Sequence, residues 1–362
     1  MKFGGGFTEL FGLQVPIVQA PMAGASDAEL AIAVSEAGGL GSLPCAMLTP
    51  DQVRASFQAI RQRTALPINL NFFCHRPPAP DAAREREWRA RFAPYYREFG
   101  IDAGAATSGP GRMPFDEAMC DAVVELKPPV VSFHFGLPSK ALLGRVRAAV
   151  LRIISSATTV EEARWLETEG CDAVIAQGFE AGGHRGMFLQ LDTASQVGTF
   201  ALVPQIVDAV KIPVIAAGGI GDARGIVAAM ALGASAVLLG TAYLRCPESK
   251  ASAVLRKALE SARDDSTVIT NVITGRPARG IANRVIREIG PVNAAAPEFP
   301  RAADALGPLR SRAESAGSGD FSPLWAGQAA AMAQKIPAGA LTKMLAEQAL
   351  ALMKELAAAS AV

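Results

Sequence analysis

The sequence predicts an α/β fold: a (β/α)8 (TIM) barrel with a lid-like insertion after its third strand and a C-terminal helical extension. Three observations predict it. Strand and helix signals alternate until eight strands have passed, which implies a parallel sheet. The unusual residues, His134, His184, Gly218-Gly219 and Gly240-Thr241, follow strand ends, the face on which barrel enzymes build their sites. An open doubly wound sheet also fits eight strands, but it would more often carry a glycine fingerprint after the first strand, and no G-x-G-x-x-G stands there.

Residues 15–19 are the first strand, and Pro21-Met22-Ala23-Gly24 turns the chain. Ser26 and Glu29 have capping-box spacing for a helix whose Leu30, Ala33, Val34 and Ala37 share one face, and Gly38 and Gly39 end it. Residues 40–43 are the second strand. Thr49 caps and Pro50 opens the next helix, and residues 67–73 are the third strand, with Asn69 and Asn71 inside it. Amides in a buried strand need partners, and a ligand is one candidate. Residues 75–127 interrupt the alternation with Pro77, Pro78 and Pro80 and a charged helical patch bearing Trp88, Tyr95 and Tyr96; this is the lid-like insertion. Residues 129–135 and 152–156 are the fourth and fifth strands. Thr158 or Thr159 caps a helix with Glu161 and Glu162 at the positive end of its dipole. The sixth strand, 171–177, precedes a helix at 202–210, the seventh strand at 213–217, a helix capped by Asp222, and the eighth strand at 236–239. The barrel is thus expected in residues 1–264. The Ala-rich helical extension is expected in 265–362, with 274–280 as a loop.

Composition narrows the function. Half of the 362 residues are apolar, and a net charge of +1 argues against a nucleic-acid surface or an acidic tail. The five cysteines, Cys45, Cys74, Cys120, Cys171 and Cys246, have neither C-x-x-C nor zinc-like spacing and read as reduced thiols of a cytoplasmic protein. No signal peptide is apparent. Residues 225–244 are uncharged and long enough to span a bilayer, but Gly233 divides them into a buried helix and the eighth strand.

The chemistry centres on residues 177–186, where His184 lies among glycines that allow sharp bends and close approach to a ligand. A histidine there serves as acid, base or hydrogen-bond donor near neutrality. His134, between Phe133 and Phe135, reads equally as a core histidine or a site residue. Arg185 either steers an anion or pairs with Glu180. Gly218, Gly219, Gly240 and Thr241 suit a phosphate held by backbone N–H groups. Asn69 and Gln177 offer their amides to a ligand, or to each other across the barrel.

These stretches resemble the nitronate monooxygenases, formerly 2-nitropropane dioxygenases, which are FMN-dependent barrels. The resemblance runs through residues 19–24 (QAPMAG), 69–73 (NLNFF), 131–136 (VSFHFG), 177–186 (QGFEAGGHRG) and 216–220 (AAGGI), and extends through 239–241 (LGT) and 319–328 (GDFSPLWAGQ). It implies an FMN site made by Pro21, Met22, Asn69, Gln177, Gly182, Gly183, Gly218, Gly219, Leu238, Leu239, Gly240 and Thr241, and no metal. It implies catalytic roles for His184, as base or substrate-binding group, and for His134. The implied reaction oxidises an alkyl nitronate with O2 to a carbonyl compound and nitrite, with propionate 3-nitronate or nitroalkanes as candidate substrates. The expected partners are a small anionic substrate and O2, with neither nucleic acid nor membrane, in a monomer or homodimer. Two departures stand out: Leu238 replaces a glutamine frequent in the family, and residues 294–309 lack the tyrosines and lysine that studied members bring to the pocket.

Two other readings compete. One is an NAD(P)H-dependent reductase of quinones or enoyl thioesters on the same barrel. The other is a non-catalytic flavin-binding subunit.

Overall fold

The computed structural model describes residues 5–102, 112–150 and 152–359. Its strands are β1 (Ile17–Gln19), β2 (Gly41–Pro44), β3 (Ile68–Phe73), β4 (Val130–His134), β5 (Arg152–Ala157), β6 (Ala173–Gln177), β7 (Gly183–His184), β8 (Val214–Ala217), β9 (Ala236–Leu239), β10 (Thr267–Thr270) and β11 (Ala278–Ile281). Eight of them form one parallel sheet in the order β1-β9-β8-β6-β5-β4-β3-β2. Leu40 closes it into a barrel: its N–H donates to Ile17 O and its carbonyl accepts from Gln19 N, each at 2.9 Å. Strands buried on both faces read as continuous apolar runs, which is why they are visible in the sequence.

One face of these strands packs inside the barrel, where Val18, Ile154, Ile175 and Ile215 meet Phe7 and Phe11 of the N-terminal helix Gly5–Phe11. That helix plugs the N-terminal end of the barrel and leaves the C-terminal end for the site. The other face packs on the surrounding helices. Thr49 is the cap, as expected, and completes a capping box with Gln52. At the preceding helix, Asp27 rather than Ser26 is the cap, its carboxylate accepting from Glu29 N. Ser26 instead bonds both the N–H and the carbonyl of Met22, folding the 22–26 turn on itself. The helix layer is completed from far along the chain: helix Ala338–Ala359 packs between helices Ala28–Glu36 and Ala223–Ala231, with Leu341 and Leu345 buried.

The insertion builds a second core with the C-terminal segment; its residues 103–111 lie outside the described residues. Trp88, Phe92, Tyr95 and Tyr96 pack on Val272, Ile286, Leu309 and Phe321. Trp88 Nε1 donates to Ala302 O at 3.1 Å, and Arg284 pairs with Glu98 at 2.7 Å. The C-terminal segment is not wholly helical. β10 and β11 pair antiparallel, and β11 continues onto β7, so part of the expected 274–280 loop is strand. The β-branched run Thr267-Val268-Ile269-Thr270 marks β10 locally. The second partner of β11, β7, lies far away in sequence, where no local pattern reveals it. Among the described residues no helix is long and apolar enough to cross a membrane.

Candidate active site

A cavity of about 290 Å³ opens at the C-terminal ends of the barrel strands. Pro21, Met22, Asn69, His134, Gln177, Gly182, Gly183, His184, Gly218, Gly219, Leu238, Gly240 and Thr241 all line it. Of the residues expected there, Leu239 alone does not: strand alternation turns it outward into the packing between barrel and helices, where it is 1 % exposed.

The glycine end of the cavity is a backbone cradle. Gly218 has φ +115°, which a side chain would strain, and at Gly240 a Cβ would touch Ala20 and Met22. The N–H groups of Gly219, Gly240 and Thr241 make no backbone hydrogen bond among the described residues. Thr241 Oγ1 accepts from Gly327 N at 2.9 Å, so the C-terminal segment braces this wall. At the barrel's centre, Asn69 donates to Ser42 Oγ at 3.0 Å, while its buried Oδ1 has no partner among the described residues. A buried acceptor left without a donor costs about 1–3 kcal/mol, so it is a place for a ligand donor. Asn69 and Gln177 do not bond each other.

Gln177 holds the histidine loop. Its Nε2 donates to His184 O at 3.0 Å and its Oε1 accepts from Gly186 N at 2.7 Å. Arg185 neither reaches the cavity nor pairs with Glu180. It is fully buried and donates to the carbonyls of Gln177 (2.8 Å) and Gly178 (2.5 Å) and to Gln196 Oε1. Glu180 instead accepts from Thr199 N and Oγ1. Buried Glu162 takes the N–H groups of Phe188 and Leu189, pinning the loop's far end.

Both ring nitrogens of His134 are occupied. Nε2 faces His184 O at 3.2 Å, a carbonyl that can only accept, so Nε2 carries the proton. Nδ1 then accepts from Ser156 Oγ at 2.6 Å. His184 is different. Its Nε2 lies 2.9 Å from Thr274 Oγ1, and its Nδ1 has no hydrogen-bond partner among the described residues. Phe299 and Trp325 pack their rings 5.1 and 5.4 Å from the imidazole.

All three histidines of the chain converge here, His75 lying 4.7 Å ring to ring from Phe299. Burial, then the guanidinium of Arg276, pushes the His134 imidazole down to about 3 and His75 down to about 4. Burial, followed by Arg112, holds His184 well below its ordinary range. Each is therefore neutral at pH 7. Arg276 stacks over Phe135 at 4.0 Å, and burial lowers it to about 10. Arg112 and Arg310 line the cavity; no carboxylate does among the described residues. Arg310 pairs with Glu314 at 2.9 Å, whereas Arg112 has no ion pair of its own among the described residues.

The nitronate monooxygenase family profile matches residues 6–348. The chain belongs to that family. It is 43% identical over 345 residues to a nitronate monooxygenase of Pseudomonas aeruginosa, covering 94% of this chain and 98% of that one. A nitroalkane oxidase structure from Streptomyces ansochromogenes superposes with a TM-score of 0.88 at 39% identity, covering 97% of this chain and all of that one. FabK from Thermotoga maritima is more distant, at a TM-score of 0.73 and 28% identity, with 97% of each chain covered. As a nitronate monooxygenase family member, the chain is an oxidoreductase of a flavin-dependent family. The cradle and the unpartnered Asn69 oxygen fit a flavin nucleotide.

Further side chains complete the site. Trp325, Arg112 and Arg310 line the cavity, Phe299 packs on the His184 ring, and Thr274 bonds that ring with Arg276 nearby. None was singled out from sequence. The turn Thr274-Gly275-Arg276-Pro277 between β-branched and apolar runs is a hairpin signal that would have located two of them. Arg112 carries no local signal.

Proposed function

We propose that the protein binds FMN and oxidises alkyl nitronates with O2 to a carbonyl compound and nitrite, and that His184 generates the nitronate from a nitroalkane when the substrate arrives protonated. Neutral His184, its Nδ1 unpartnered among the described residues in a cavity lined by arginines and, among those residues, by no carboxylate, is the observation that carries the reading. Asn69 and the Gly218, Gly219, Gly240 and Thr241 backbone would hold the cofactor. FMN, when bound, supplies the electron acceptor between nitronate and oxygen.

The chain's own residues do the rest. The nitroalkane α-C–H bond breaks, its proton passes to His184 Nδ1, and its electron pair enters the C=N bond of the nitronate. The new anion lies beside the imidazolium it has created and in the field of Arg112, and both charges are worth more in a site closed to water. Propionate 3-nitronate suits the same cationic wall.

His184→Asn tests this. Turnover of a nitroalkane is expected to fall about 10²–10⁴-fold, as loss of a general base does, while a preformed nitronate loses less than about tenfold. Equal loss on both would remove the proton-abstraction role. Oxygen-dependent nitrite release from nitronate is the activity to be seen; flavin reduction by NADH or NADPH alone would move the protein to the reductase reading.

A further inference from the structure

We propose that Thr274 is the positioning residue that fixes which nitrogen of His184 carries the proton, leaving Nδ1 as the lone pair that faces substrate. The inference deepens the reading of His184 as a base and rests on it.

Backbone and ring of His184 are held separately. Its carbonyl oxygen accepts from Gln177 Nε2 at 3.0 Å and from His134 Nε2 at 3.2 Å. Its strand β7 pairs with β11, with Ala278 opposite His184, and Arg185 N donates to Pro277 O at 2.9 Å. These bonds place the residue but do not choose a tautomer. The ring has one hydrogen-bond partner among the described residues, Thr274 Oγ1, at 2.9 Å from Nε2. Thr274 is 1 % exposed, so no bulk water competes for it.

Two arrangements are open to a hydroxyl with one proton. In the first, Thr274 donates to the Arg276 carbonyl, 3.5 Å away, and accepts Nε2–H from His184. One chain, His184 to Thr274 to Arg276, then uses both protons and leaves Nδ1 bare. In the second, Thr274 donates to Nε2. The Arg276 carbonyl then loses this donor, and an Nδ1–H points into the cavity with no protein acceptor among the described residues. Nδ1 lacks a protein partner in either case, so the Thr274 hydroxyl's bond to the Arg276 carbonyl, kept only in the first arrangement, decides for it.

The same bond serves the reacting state. When Nδ1 takes the substrate proton, Nε2–H still donates to Thr274, so the imidazolium forms without rearrangement. The nearby Arg112 and Arg276 cations oppose that charge, and the Thr274 lone pair offsets part of their effect.

The test compares Thr274→Val with Thr274→Ser in the FMN-loaded protein. Nitrogen-15 NMR of labelled histidine reads the tautomer directly. The wild type and Thr274→Ser should show His184 protonated at Nε2 and bare at Nδ1; Thr274→Val should show a mixture or the reverse. In kinetics, Thr274→Val should lower kcat/KM for a nitroalkane roughly tenfold, the worth of one buried hydrogen bond, with Thr274→Ser restoring it and a smaller loss on preformed nitronate. A wild-type spectrum with the proton on Nδ1 overturns the proposal, as does a Thr274→Val protein with an unchanged spectrum. If the wild type fails to turn over nitroalkane, the base reading has failed, and the spectra alone still decide the role of Thr274.

Discussion

The two cavity histidines have been given different work by their hydrogen bonds. His134 spends both ring nitrogens inside the protein and so orients the loop through the His184 carbonyl, whereas His184 keeps one nitrogen for the cavity. Residue type alone does not separate them, since either histidine reads as catalytic from its place after a strand. The same accounting applies to Asn69. Its NH2 is committed to Ser42 and its oxygen is not, so the oxygen is the end that a bound flavin's N–H would meet. Asn69→Ala is expected to weaken FMN binding about tenfold, the equivalent of one hydrogen bond to a buried partner. Fluorescence titration of the cofactor-stripped protein checks it, and unchanged affinity would show that Asn69 faces the flavin without bonding it.

At the scale of elements, the site is a joint between the barrel and the C-terminal segment. The loop after β6 touches residues 326–327 so closely that a Cβ at Gly182 would lie 2.5 Å from Gly327 N and 2.6 Å from Ala326 C, both backbone atoms that cannot swing aside. Gly182→Ala should therefore push the two segments apart, loosen Trp325 beside His184 and lower stability by about 1–3 kcal/mol, in the range of an overpacked core. A falling thermal midpoint together with a raised KM would be its signature; a wild-type KM would show that Trp325 is seated independently of the loop. This joint also marks the limit of what the sequence reveals. The barrel strands and the residues at their ends are legible because apolar runs and βα glycines are local signals. The β7–β11 pairing brings His184 to Ala278 and Thr274, and it depends on a register formed only in the folded chain. The arginines are hidden for a related reason: Arg112 sits in an irregular segment, and Arg310 lies on helix Gly307–Ser315, whose place against the cavity is set by the fold. Ser26 shows the limit at short range, since a correct capping spacing lost to the neighbouring Asp27 when the turn claimed the serine hydroxyl.

Taken as a whole, the molecule buries its three histidines in one cluster of rings and arginines, and that has a consequence for folding as well as for chemistry. A histidine whose folded pKa lies below its unfolded value, near 6.5, must shed its proton to fold. Between the two values the unfolded chain binds more protons, so stability rises with pH through that window and is lost as pH falls. Above about pH 6.5 the histidines contribute no pH dependence. Below it, each costs about 1.4 kcal/mol per pH unit until its folded value is reached, which is about 4 for His75 and about 3 for His134. The groups facing His75 are Arg276 and Arg112, whose charges oppose protonation, and the Arg112 carbonyl, which favours it. Carboxylates titrate in the lower part of the same window, so the histidine share is isolated by difference. At fixed cofactor concentration, the urea midpoint of the wild type should be level from pH 8 to about 6.5 and fall steeply below. In His75→Leu the slope between pH 6 and 5 should be shallower by about one proton's worth. A slope unchanged by His75→Leu would mean that His75 is protonated in the folded state, and that the cluster tolerates a third cation beside Arg112 and Arg276.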